Sequence, residues 1–125
     1  MAAIAAFFFY APPVSACSDT TPCDVADGEY LIALPEDAAA DTPAVMFIHG
    51  FGGSGEGVMR NRGMVDAFLS RGYAVIAPSG LEREGRSGGS WSFHPELSQR
   101  RDEVAFLTSV RDAAIERHGI APVRS

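Results

Sequence analysis

The run VMFIHGFGGSGEG, Val45 to Gly57, places glycine at 50, 52, 53, 55 and 57 directly after an apolar segment that closes on His49. Two chemistries use such a turn. The spacing Gly50-x-Gly52-x-x-Gly55 matches a dinucleotide cradle, in which backbone N–H groups hold a pyrophosphate. The pair His49-Gly50 at a strand end instead suits an oxyanion turn, whose N–H donors stabilise the charge that grows on an ester carbonyl oxygen under attack. A plain flexible connector is the third reading. A dinucleotide site also needs a carboxylate at the end of the next strand to bind the ribose. Here YAVIA is followed by Pro78, Ser79 and Gly80, and Glu82 lies further into the loop. A P-loop fails as well, because no Gly-Lys-Ser/Thr follows the glycines. The oxyanion reading leads. It puts the donor on the N–H of Phe51, with that of Gly52 as the alternative. Gly50 lets the backbone turn without a Cβ in the way. His49 then orients the turn by hydrogen bonding and is not a general base.

Other residues with chemical potential have simpler uses. Gly85-Arg86-Ser87-Gly88-Gly89 matches the Gly-x-Ser-x-Gly pattern of a nucleophile elbow, but that elbow needs an apolar strand before it and a helix after it. Ser87 has LERE before it and SWSF behind it, so it reads as a loop serine. His94 precedes Pro95 in a loop, and His118 closes a helix beside Gly119, where a positive charge suits the helix dipole. Asp102 and Glu103 open that helix, and the dipole explains them too. Trp91 either lines an acyl pocket or anchors its loop. No metal-ligand spacing appears among the histidines and cysteines, and no cofactor is expected.

These residues must be positioned by a short list of elements. Glu29 to Pro35, EYLIALP, mixes aromatic and branched residues and reads as a strand. AVMFIHG is a continuous apolar run, as expected of a parallel strand buried on both faces. Val58 to Ser70 is helix-like, with Met64 and Phe68, and Val65 and Leu69, at i,i+4 spacing. Gly72 stands where a helix-terminating glycine belongs. YAVIAP is a second buried strand. Residues 79–97 carry no apolar period and read as a long loop. From about Ser98 to His118, Phe106, Leu107, Val110, Ala113 and Ala114 fall on one helix face, and Gly119 stops that helix. The order predicts an α/β fold with a parallel sheet and flanking helices, with GIAPVRS where a further strand would begin.

At 125 residues there is room for one domain. The formal charge of −6 argues against nucleic acid or an anionic membrane as partner. The first sixteen residues, MAAIAAFFFYAPPVSA, read as a signal peptide: the apolar run Ala2 to Ala11 is too short for a stable membrane span of roughly 20 residues, and Val14-Ser15-Ala16 is a cleavage site. The competing reading is a buried N-terminal helix ended by Pro12-Pro13. Export places Cys17 and Cys23 in an oxidising compartment, where a disulfide across SDTTP is favoured. Lipidation of Cys17 after VSAC, or two unlinked thiols, are the alternatives.

The segments AVMFIHGFGGSGEG, GYAVIAPSG, GGSWSF, RRDEVAFLTSVRDA and HGIAPVR, taken in order, resemble the secreted polyhydroxybutyrate depolymerase and feruloyl esterase family, from Cys17 to Ser125. Ala121 departs from that family's usual Asp-Pro-x-Arg. The resemblance implies a partial α/β-hydrolase fold over 17–125 and a secreted serine enzyme. Its ester substrate would be a hydroxyalkanoate polyester or oligomer, or an aryl ester. It also implies that the nucleophile elbow, acid and histidine fall beyond Ser125, so that this chain alone is inactive. The fold so implied sets the third strand between the fourth and a fifth, which leaves AVMFIH at an edge. A small secreted or lipid-anchored binding domain without catalysis is the alternative.

Overall fold

The computed structural model describes residues 16–94 and 99–123; the leader expected over residues 1–16 lies almost wholly outside them. Four strands form one sheet: β1 (Cys23–Val25), β2 (Gly28–Ala33), β3 (Ala44–Met46) and β4 (Ala74–Pro78), in the order β1-β2-β4-β3. Only β3 and β4 run parallel, pairing Ala44 with Ala74 and Met46 with Ile76. β2 is antiparallel to both neighbours, so the sheet is mixed and not parallel as expected. For β1 and β2 the reason is local. Two residues separate β1 from β2, and a hairpin that short forces antiparallel pairing.

Period-two alternation sends the buried side chains to opposite faces of the sheet. Tyr30, Ile32, Ala74 and Ile76 meet helix α3 (Glu103–His118) through Phe106, Val110, Ala113 and Ala114. Leu31, Ala33, Val75 and Ala77 meet Met59 and Val65 from the other side. The face predicted for α3 is the face that is buried. Burying Tyr30, Phe106 or Val110 stabilises by about 1.5–3 kcal/mol each. Both faces of β4 are covered, which is why its sequence is apolar without a break.

The helix expected over Val58 to Ser70 is two helices, α1 (Gly55–Arg60) and α2 (Arg62–Leu69). Asn61 divides them: its side chain accepts from the Met64 N–H at 3.3 Å, while its own N–H bonds to Val58 O. An asparagine that caps a helix start competes with continuing the helix before it. Nor is 79–97 featureless. Leu81–Glu82 (β5) pairs antiparallel with Gly89–Ser90 (β6). α3 ends at Gly119 in the left-handed region, φ 66°, and the chain then returns to the sheet. Ile120 forms a parallel bridge to Thr42, just before β3, with Thr42 N–H to Gly119 O at 3.0 Å and Ala121 N–H to Thr42 O at 2.8 Å.

Candidate functional site

β3 and β4 carry the two chain segments that build the glycine turn, side by side because their strands pair in parallel. His49 is buried at the end of the β3 segment and is fixed on both ring nitrogens. Nε2 accepts from the Gly80 N–H at 2.9 Å, and Nδ1 donates to Gly50 O at 2.8 Å. This bonding pattern sets the neutral tautomer with the proton on Nδ1, and both nitrogens are engaged, as an orienting residue requires. The Gly53 N–H returns to Gly50 O at 3.0 Å, so residues 50–53 form a β-turn with Phe51 and Gly52 at its centre. Gly52 has φ 80°, the third-position requirement of a type II turn that glycine meets without strain.

The two proposed donors differ. The Gly52 N–H is already bonded to Gly89 O at 2.9 Å, and Gly89 N–H bonds back to Gly53 O at 2.8 Å. Among the described residues no acceptor is paired with the Phe51 N–H. Phe51 is 79% exposed, with the Arg83 guanidinium 4.6 Å from its ring centroid, which adds positive charge beside the turn. The zipper between the two glycine segments depends on Gly88. A Cβ there would stand 2.1 Å from Gly52 O, at φ 84°. An open hollow of about 300 Å³ lies against the turn, bordered by Phe47, Ile48, His49, Gly50, Ser54 and Asn61.

Trp91 holds this arrangement from the loop side. Its indole N–H donates to His49 O at 2.8 Å, and its ring lies 5.0 Å from the imidazole and 5.9 Å from Phe93. Beneath it lies an ion pair that nothing in the sequence singles out. Arg101 and Glu103 are 8% and 3% exposed and joined at 2.8 Å. Arg101 also donates to Asp27 O and Ser79 O and lies 3.7 Å over Phe106, while Glu103 accepts from the Ser92 N–H at 3.0 Å. Glu103 is therefore a buried tie between the β1–β2 turn, the end of β4 and the Trp91 loop, and the helix dipole does not suffice to explain it. Asp102 is the N-cap of α3, accepting from Ala105 N–H at 3.0 Å.

The other candidates lie apart from the turn. Ser87 is exposed in the β5–β6 connection, with neither a buried strand before it nor a helix after it, and His94 O accepts from Gln99. Cys17 and Cys23 are joined as a disulfide. His118 packs against that disulfide, with Nε2 3.0 Å from Tyr30 Oη. Burial, and secondarily the charge of Arg117, push the His118 imidazole below its ordinary value. Among the described residues, neither the His49 nor the His118 ring is hydrogen-bonded to a serine hydroxyl. No helix among the described residues is long and apolar enough to cross a membrane. No family model, curated protein or solved structure matches the chain.

Proposed function

We propose that this chain supplies the oxyanion turn of a secreted serine carboxylic-ester hydrolase, of the polyhydroxybutyrate depolymerase and feruloyl esterase type. One observation carries the reading: in the glycine turn that follows a parallel strand, the N–H groups of Gly52 and Gly53 are taken, while that of Phe51, like that of Gly50 before it, is paired with no acceptor among the described residues. The strand order β1-β2-β4-β3, with β3 at the edge, supports it by agreeing with the opening strands of an α/β hydrolase. The Cys17–Cys23 disulfide is compatible with export. In this reading Phe51 N–H binds the developing oxyanion, and His49, Gly80 and Trp91 fix its direction. The described residues do not themselves bring a serine, a histidine and an acid together beside it. Of the two donors weighed in the sequence, Phe51 is preferred because Gly52 is occupied by Gly89.

The test is kinetic. In a version of the chain extended through a Gly-x-Ser-x-Gly strand turn and the remaining triad, Phe51→Ala keeps the N–H and Phe51→Pro removes it. Phe51→Pro should lower kcat on p-nitrophenyl butyrate by about 10²–10³-fold with KM little changed, and Phe51→Ala should stay within a few-fold of the parent. An inactive extended parent would defeat the ester assignment. Equal kcat in the two variants would defeat the role of Phe51.

A further inference from the structure

The disulfide and His118 form a cluster that the proposed ester chemistry does not use. His118 Nε2 lies 3.7 Å from Cys17 Sγ and 3.8 Å from Cys23 Sγ, and all three ligand atoms fall within 4.8 Å of one another. We infer that, once the disulfide is reduced, Cys17, Cys23 and His118 form a site for a soft divalent cation of the zinc type. The argument is geometric. With Zn–S about 2.3 Å and Zn–N about 2.0–2.1 Å, a tetrahedral site sets sulfur and nitrogen roughly 3.6 Å apart and its two sulfurs roughly 3.8 Å apart. Both sulfur–nitrogen edges are thus in place in the folded protein. The remaining edge is supplied by reduction, since two thiols that are no longer bonded rest near van der Waals contact.

The ligand set fits the metal. Two thiolates and an imidazole select zinc over magnesium or calcium. Cys23 and His118 are carried by β1 and α3, which pack on each other, so the site is not assembled from loops alone. Cys17 and His118 are only half-buried, which gives an ion a path from solvent. Three protein ligands leave the fourth position to water. The step balances. A phosphine reductant passes two electrons to the S–S bond and becomes its oxide with an oxygen from water, giving two thiols. Metal entry then releases both thiol protons to solvent. One pair of cysteines therefore serves as a clasp when oxidised and as a metal holder when reduced, and never as both.

The experiment uses the whole chain, reduced anaerobically with a trialkylphosphine, freed of reductant and titrated with Co²⁺. The reduced protein should bind one Co²⁺, with thiolate charge-transfer absorption and the intense visible bands of tetrahedral cobalt, and Zn²⁺ should displace it. The oxidised protein should show none of these. Reduced His118→Gln should bind at least about tenfold more weakly with altered visible bands, while Tyr30→Phe, which keeps all three ligands, should bind like the parent. Circular dichroism covers the case in which reduction unfolds the chain: Zn²⁺ should then restore the folded spectrum of the parent and not of His118→Gln. No cobalt spectrum, equal binding by His118→Gln, or an unfolded chain that Zn²⁺ leaves unfolded would each overturn the assignment.

Discussion

β1 and β3 are both three residues long and both stand at an edge of the same sheet, yet they are finished differently. β1 is held by the Cys17–Cys23 disulfide, by Arg117 donating to Asp24 O at 2.7 Å, and by α3 packed across it. The hairpin turn behind it is pinned by Arg101 at Asp27 O. On the outer side of β3, the described residues supply one bridge, that of Thr42 to Ile120. Beyond that bridge an apolar groove of about 430 Å³ opens between β3 and α3, lined by Met46, Leu107, Ile115 and Ile120. Val104 and Val123 border it at 71% and 70% exposure. A short, tied edge resists further pairing, and an apolar, unpaired one invites it. The difference marks β1 as the fastened edge of the sheet and β3 as the edge left open among the described residues.

The fastened side should be the costlier to break. Glu103→Ala leaves Arg101 buried without its partner and the Ser92 N–H without its acceptor. That should cost about 3–5 kcal/mol, read from denaturant unfolding by circular dichroism. A loss below about 1 kcal/mol would mean that Arg101 escapes to solvent, and the fastening would then rest on the disulfide, Arg117 and the packing of α3. The open side should respond in association more than in stability. Lysine in place of Ile48 and Val104, both exposed, should change unfolding free energy by no more than about 0.5 kcal/mol. It should also raise clearly the concentration at which the chain self-associates, followed by light scattering. A parent that stays monomeric at high concentration would show that the β3 edge is already closed.

The smallest effect sharpens the comparison from within the fastened side. Glu29 faces Asp24 across the β1–β2 ladder. Burial first, then the charges of Glu56, Asp24 and Glu82, raise its pKa above 4.5. Folding therefore takes up a proton in the window between 4.5 and the raised value. The stability this gives is present below that window and is lost as pH rises through it. Glu29→Gln should raise Tm by about 1–2 °C at pH 7, and the gain should vanish below pH 4.5. A gain that persists in acid would assign the effect to packing and not to charge.

Apolar runs and helical spacing made β2, β4 and the buried face of α3 readable, because burial on a sheet leaves its period in the sequence. Strand direction leaves no such mark, so the antiparallel placement of β2 was hidden. The i,i+4 pairs Met64–Phe68 and Val65–Leu69 lie wholly within α2 and carry no mark of Asn61, so the break between α1 and α2 was hidden. β5 and β6 pair through the backbone in a glycine-rich stretch, where side chains carry no signal. Arg101 and Glu103 resemble any charged helix start until folding buries them. His118 lies 101 and 95 residues from the two cysteines it touches, a proximity that only the docking of α3 on β1 creates. The glycine turn was legible as a turn. That Gly52 is occupied and Phe51 is not depends on Gly88 and Gly89, far along the chain.

The central claim is that the Phe51 N–H is an open donor at the centre of this turn, and backbone amide NMR tests it on the chain itself. In ¹⁵N-labelled protein titrated with a butyl phosphonate anion, the Phe51 amide proton should move steadily downfield. Those of Gly52 and Gly53, already bonded to Gly89 and Gly50, should hold still. If Phe51 does not move, or if Gly52 moves in its place, the turn does not present the donor that ester hydrolysis would need.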